Sequence, residues 1–163
     1  MKNHFRNALL ILLVCFTSEI TAQNYTSTTN GVKANIESLD VEIQFFSPDI
    51  VRVLRVPEGA TVNKKSLSVV KIPETIQINT SKTADKVVLT SSALSVELNL
   101  LTGRVTFSTA ENQKLFTEKD YGAQFTPTVD VKRKTWLARQ AFLLDKTEAI
   151  YGLGQQQNGT LMQ

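Results

Sequence analysis

Asp130, Asp145 and Glu148 come nearest to a catalytic set in this sequence. A carboxylate pair can cleave a glycosidic bond, one acid protonating the leaving oxygen while the other attacks or activates water. Between short strands, however, acids more often close turns, and that reading is preferred here. Trp136 and Tyr121 offer aromatic faces on which a pyranose ring can stack. A single tryptophan inside an apolar run reads first as core. Tyr151-Gly152-Leu153-Gly154 is the most distinctive local sequence. As a dinucleotide fingerprint it fails, because Gln157 stands where the third glycine belongs and no helix pattern comes after it. It reads better as a strand end where glycine lets the backbone bend. The amides of Gln155, Gln156, Gln157 and Asn158 then either bond a hydroxyl-rich ligand or form a plain polar loop.

The residue types that are missing narrow the chemistry further. The one cysteine and the one histidine, Cys15 and His4, both fall in the first 22 residues. Lys2 and Arg6 open that segment, residues 8–16 are apolar but too few to span a bilayer, and Thr21-Ala22 offers a small-residue cleavage point. Residues 1–22 therefore read as an export signal. Bulky Val14 beside Cys15 fits lipid modification poorly. The expected destination is the periplasm or the medium, with no membrane attachment after cleavage. Residues 23–163 contain no thiol, imidazole or disulfide, so histidine-based triads are excluded there. No cofactor or metal is suggested.

The whole chain of 163 residues carries a formal charge of +3. Loss of Lys2, Arg6 and Glu19 with the signal moves it closer to balance, so the basic pI does not argue for nucleic acid. Lys132-Arg133-Lys134 is the tightest basic cluster and reads as a solvated loop. About 140 residues of ordinary globular composition suit one domain.

The elements that must carry these residues are strands. After residue 30 the dominant hydrophobic period is two. Val32, Ala34 and Ile36 alternate with polar residues, as do Val41, Ile43 and Phe45, and then Leu94, Val96, Leu98 and Leu100. Residues 50–56 form a β-branched run in which Arg52 and Arg55 are the only charges. Shorter runs cover 67–70, 75–78 and 87–90. Thr102-Gly103 turns the chain into 104–108 as a hairpin. Residues 136–144 suit strand or helix, and strand is preferred from their neighbours. The four prolines fall between runs. Residues 23–30 read as a loose polar leader, and residues 31–163 as one domain. The fold class expected is all-β, an antiparallel β-sandwich.

Three of these segments, in this order, resemble the N-terminal region of glycoside hydrolase family 31, the α-glucosidase and α-xylosidase family. They are VEIQFFSPDIVRVLRV at 41–56, LSVELNLLTGRVTF at 94–107 and EAIYGLGQ at 148–155. The resemblance implies a galactose-mutarotase-like sandwich ahead of a (β/α)₈ barrel whose two aspartates perform retaining hydrolysis. Neither aspartate has a counterpart in this sequence. By the same resemblance Tyr151, Gly152, Gly154 and Gln155 lead into a substrate-facing loop, and the partners are an α-linked oligosaccharide and a C-terminal catalytic barrel. The sandwich is then expected to be incomplete at its C-terminal end. The rival expectation is a free-standing exported module that binds carbohydrate. An unfinished sandwich leaves strand edges unpaired and an apolar face uncovered. Residues 23–163 alone should therefore aggregate or melt without a sharp transition. A soluble monomer with a cooperative melt in calorimetry would contradict this.

Overall fold

The computed structural model describes residues 25–62, 66–149 and 151. Ten strands make two antiparallel sheets, and no helix occurs among the described residues. The first sheet is β1 (Tyr25–Thr28), β2 (Gly31–Ile36), β3 (Leu39–Ser47) and β4 (Ile50–Pro57), in that order. The second runs β10 (Arg133–Leu143), β9 (Lys114–Asp130), β8 (Val105–Thr109), β7 (Leu94–Asn99), β6 (Lys86–Thr90) and β5 (Asn79–Thr83). Consecutive strands pair throughout each sheet, so every connection is a hairpin apart from the passage from β4 to β5. This is the antiparallel sandwich expected from the alternation.

Period-two patterning decides which face each strand buries. Val32, Ile43, Phe45 and Val41 from the first sheet meet Val87, Leu89, Val96, Leu98, Val105 and Phe107 from the second in one core. Gly31 stands opposite Gln44, where a Cβ would lie 1.8 Å from the carbonyl oxygen of Ile43. Only glycine allows that approach. The β7–β8 turn is built by Asn99, whose side-chain oxygen accepts from the backbone N–H groups of Leu101 and Thr102, both at 2.9 Å. Asparagine supplies this local cap more readily than most residues.

Several local expectations change. The leader is ordered from Tyr25 onward, where β1 pairs with β2 and Tyr25 packs on the core. Its polar composition suits an edge strand with one wet face. Residues 67–70 and 75–78 are not strands. Leu67 is fully exposed, whereas Ile76 and Ile78 still pack on the core from an irregular segment. Asn30 tethers that segment, its amide nitrogen donating to the carbonyl of Glu74 at 2.7 Å. Residues 136–144 are strand rather than helix, within β10 up to Leu143. Pro127 lies inside β9, opposite Trp136, and Pro57 closes β4. The proline is tolerated because β8 pairs with β9 only as far as Thr117, leaving β9 a single neighbour at Pro127.

One ion pair ties the sheets together. Arg55 on β4 donates to both carboxylate oxygens of Glu118 on β9, at 2.8 and 2.6 Å. Their side chains are 5% and 1% exposed. Glu118 also accepts from the backbone N–H of Val105 and from the Gln140 amide, both at 2.8 Å, and Arg55 donates to the carbonyl of Gly103 at 3.0 Å. Gly122, at φ +72°, leaves the room, since a Cβ there would lie 2.6 Å from Glu118 Oε2 and 2.9 Å from Arg55 Nη2. Removing one partner strands a buried charge, at a cost of about 3–5 kcal/mol. In urea unfolding Glu118→Ala should lose that much, whereas Arg55→Met combined with Glu118→Leu should recover most of it. A loss below about 1 kcal/mol for Glu118→Ala would show that the pair does not hold the sheets.

Candidate functional site

The structure does not gather the three carboxylates into a catalytic pair. Asp130 ends β9 at the tip of the β9–β10 hairpin, directly opposite Arg133. Asp145 and Glu148 belong to one turn after β10. The backbone N–H and hydroxyl of Thr147 donate to Asp145 Oδ1 at 3.0 and 2.8 Å. Glu148 accepts from the Asp145 backbone N–H at 3.2 Å and donates its own N–H to the Asp145 carbonyl at 3.1 Å. Bonds to the ionised form hold the Asp145 carboxyl below its ordinary value, the Thr147 N–H being the larger cause and its hydroxyl the next. Asp145 and Glu148 are thus bonded within their own turn.

Tyr151 is exposed and makes an isolated bridge. Gly152, Gly154 and Gln155 lie outside the described residues, as do the amides after them. Tyr121 is exposed beside Gly122, where β9 leaves β8. Trp136 departs from the core expectation, being 48% exposed. Its part of β10 pairs only with β9, and the first sheet does not extend over it. The basic cluster 132–134 occupies the same hairpin tip, with Lys132, Arg133 and Lys134 all exposed.

Two clefts border the first sheet. The larger, about 710 Å³, lies on the outer face of the first sheet among Lys33, Asn35, Asp40, Glu42, Leu54 and Val56. Its polar groups are engaged with one another. Lys33 pairs with Glu42 at 3.6 Å, and the Asn35 amide donates to Asp40 at 2.9 Å. The smaller, about 350 Å³, opens between Ile36, Leu39 and Val41 of the first sheet and Tyr121, Ala123 and Phe125 of β9, with Arg55 at its floor. Among the described residues no three of His, Cys, Asp and Glu cluster as metal ligands.

Motifs alone do not reveal the buried Arg55–Glu118 pair, yet one signal points to it. Arg52 and Arg55 are an odd number of residues apart in one strand, so they lie on opposite faces. One of them has to point inward and find an acid. Nothing in Leu115-Phe116-Thr117-Glu118 identifies which acid.

Among the described residues, then, the fold is a two-sheet sandwich with clefts on its surface and no convergent acids. Comparison with known proteins places it. A model of the glycosyl hydrolase 31 N-terminal galactose mutarotase-like domain matches residues 40–162. An α-glucosidase 2 from Bacillus thermoamyloliquefaciens is 30% identical over 115 residues, covering 71% of this chain and 14% of the relative. An α-xylosidase from Saccharolobus solfataricus is 30% identical over 125 residues, covering 76% of this chain and 17% of the relative. The crystal structure of a GH31 α-xylosidase from Xanthomonas citri superposes with a TM-score of 0.72 at 25% identity, over 83% of this chain and 15% of that one. The chain thus belongs to the glycosyl hydrolase 31 N-terminal galactose mutarotase-like domain family. It spans 14–17% of the length of these relatives.

Thr147→Ala should raise the Asp145 pKa by removing the hydroxyl bond while keeping the backbone one, as followed by NMR titration. Because the folded value is depressed, the carboxylate favours folding above the unfolded pKa, and that contribution fades as pH falls through the folded one. An unshifted titration would show that the hydroxyl bond does not form in solution.

Proposed function

We propose that this domain is the non-catalytic N-terminal part of an exported, retaining α-glycoside hydrolase acting on α-xylosides or α-glucosides. The observation that carries the reading is the family match over 40–162, together with relatives named as α-glucosidase and α-xylosidase. The acids that break the bond then belong to polypeptide outside this domain, in accord with the turn roles of Asp145 and Glu148. The domain's part is mechanical. It braces the catalytic domain and starts, at Tyr151, Gly152, Gly154 and Gln155, a loop that borders the sugar. Export follows from the composition of residues 1–22, and the substrate is an α-linked oligosaccharide or glycoside. No nucleic acid and no cofactor enters.

Half-exposed Trp136 favours a second reading, a free-standing exported module that binds glycans on the β9–β10 ribbon. The two readings part on one experiment. The complete secreted protein should hydrolyse nitrophenyl α-xyloside or α-glucoside, while residues 23–163 alone should show no turnover. Saturable oligosaccharide binding by the isolated segment, with no hydrolysis by the complete protein, would favour the module.

A further inference from the structure

Asn30 and Gly31 sit where the β1–β2 hairpin turns, and both residue types are dictated by their surroundings. Gly31 is obligatory, because a Cβ would meet the Ile43 carbonyl oxygen. Asn30 is buried, and its amide nitrogen donates to two carbonyls, Phe45 at 3.2 Å and Glu74 at 2.7 Å. Two acceptors at one end of the amide identify that end as the nitrogen. The amide oxygen is buried and finds no hydrogen-bond partner among the described residues. Beside Asn30 passes a strap, residues 66–78, which reaches the second sheet without entering a strand. Glu74 fastens it. The Glu74 N–H donates to the Phe46 carbonyl at 3.0 Å, and the Glu74 carbonyl takes the Asn30 amide. Ile76 and Ile78 pack on the core, whereas Glu74 itself is exposed.

We propose that Asn30-Gly31 is a deamidation site gated by this strap, and that deamidation unfastens the strap. An asparagine before glycine is the dipeptide most open to the reaction, because no Cβ shields the glycine nitrogen. The deprotonated Gly31 nitrogen attacks Asn30 Cγ, the Cγ–Nδ2 bond breaks, and the nitrogen leaves as ammonia. Water then opens the five-membered imide at either carbonyl, giving aspartate or isoaspartate, with no oxidant or reductant involved. The attack requires the Asn30 side chain and the Gly31 backbone to rotate toward each other. In the folded domain Gly31 is paired with Thr28 on one side and Gln44 on the other, while the amide is clamped between two carbonyls. Lifting the strap removes one clamp and admits solvent. The product then holds the strap off. A carboxylate has no N–H to donate, so it faces the Phe45 and Glu74 carbonyls as a third acceptor. A buried acceptor set against acceptors is destabilising. Isoaspartate also lengthens the backbone by one methylene and shifts Gly31 out of register with Gln44. The sequence keeps a labile dipeptide here because the clamp needs the amide and the close strand approach needs the glycine.

The complete protein, aged at mildly alkaline pH and mapped by peptide mass spectrometry, gives the test. Asn30 should convert at least twentyfold more slowly in native buffer than in urea. Ile76→Ala loosens the strap without touching the dipeptide. It should raise the native rate of conversion at least threefold and leave the rate in urea unchanged. Hydrogen exchange resolved to single amides reads the effect of the product. In Asn30→Asp the Glu74 N–H should exchange at least tenfold faster, while that of Val96, central in the second sheet, changes less than twofold. If Asn30→Asp does not accumulate as folded protein, the aged wild-type chain supplies the same comparison, its converted and unconverted fractions separated by ion exchange. Equal conversion in buffer and urea overturns the proposal, and so does an Ile76→Ala variant that converts no faster. Exchange that rises equally at Glu74 and Val96, or at neither, overturns it too.

Discussion

The constraint on which this domain depends is the buried guanidinium–carboxylate pair of Arg55 and Glu118. The aliphatic core would hold the sheets together at many relative positions, because apolar contact has little directional preference. A bidentate pair does not slide, since its two parallel bonds fix distance and angle together. The carboxylate also engages β8 through Val105 and β10 through Gln140. Four strands from two sheets therefore meet at one acid. Such a pair adds little net stability compared with a well-packed apolar substitute, so its contribution is geometric registration. Gly122 and the Gly103 carbonyl complete the pocket, which is why the chain bends at both places with φ near +70°.

Much of the sandwich is legible in the sequence because period two is a local signal. Residues 32–36, 41–45 and 94–100 announce their buried faces one residue at a time, and the structure buries the apolar set in each apart from half-buried Leu94. The failures share a cause of another kind. Residues 67–70 and 75–78 have strand-like composition but find no partner strand, and pairing is a non-local property. Trp136 reads as core because it sits in an apolar run, yet a strand's composition does not say how far the opposite sheet extends. Pro127 reads as a boundary, but with no second neighbour on β9 the penalty disappears. Residues 25–28 read as loose because an edge strand has only one face to bury.

The candidate site is legible in a different way. Resemblance at 41–56, 94–107 and 148–155 points to the family that the comparison over residues 40–162 supports. The acids near the C-terminal end do not converge, because Asp145 is held by its own turn and Asp130 by its place at a hairpin tip.

The length of β9 has one more consequence. A single 17-residue strand carries Glu118 near one end of its course and the exposed ribbon at the other, with a bend at Gly122 between them. Anything that grips the ribbon in its native geometry binds the folded domain and not the unfolded chain, so by mass action it shifts the folding equilibrium of the whole sandwich. Conversely, loosening the buried pair would blunt the orientation of the strand outside. Folding inside and attachment outside are then two ends of one thermodynamic cycle, and neither free energy has a value independent of the other.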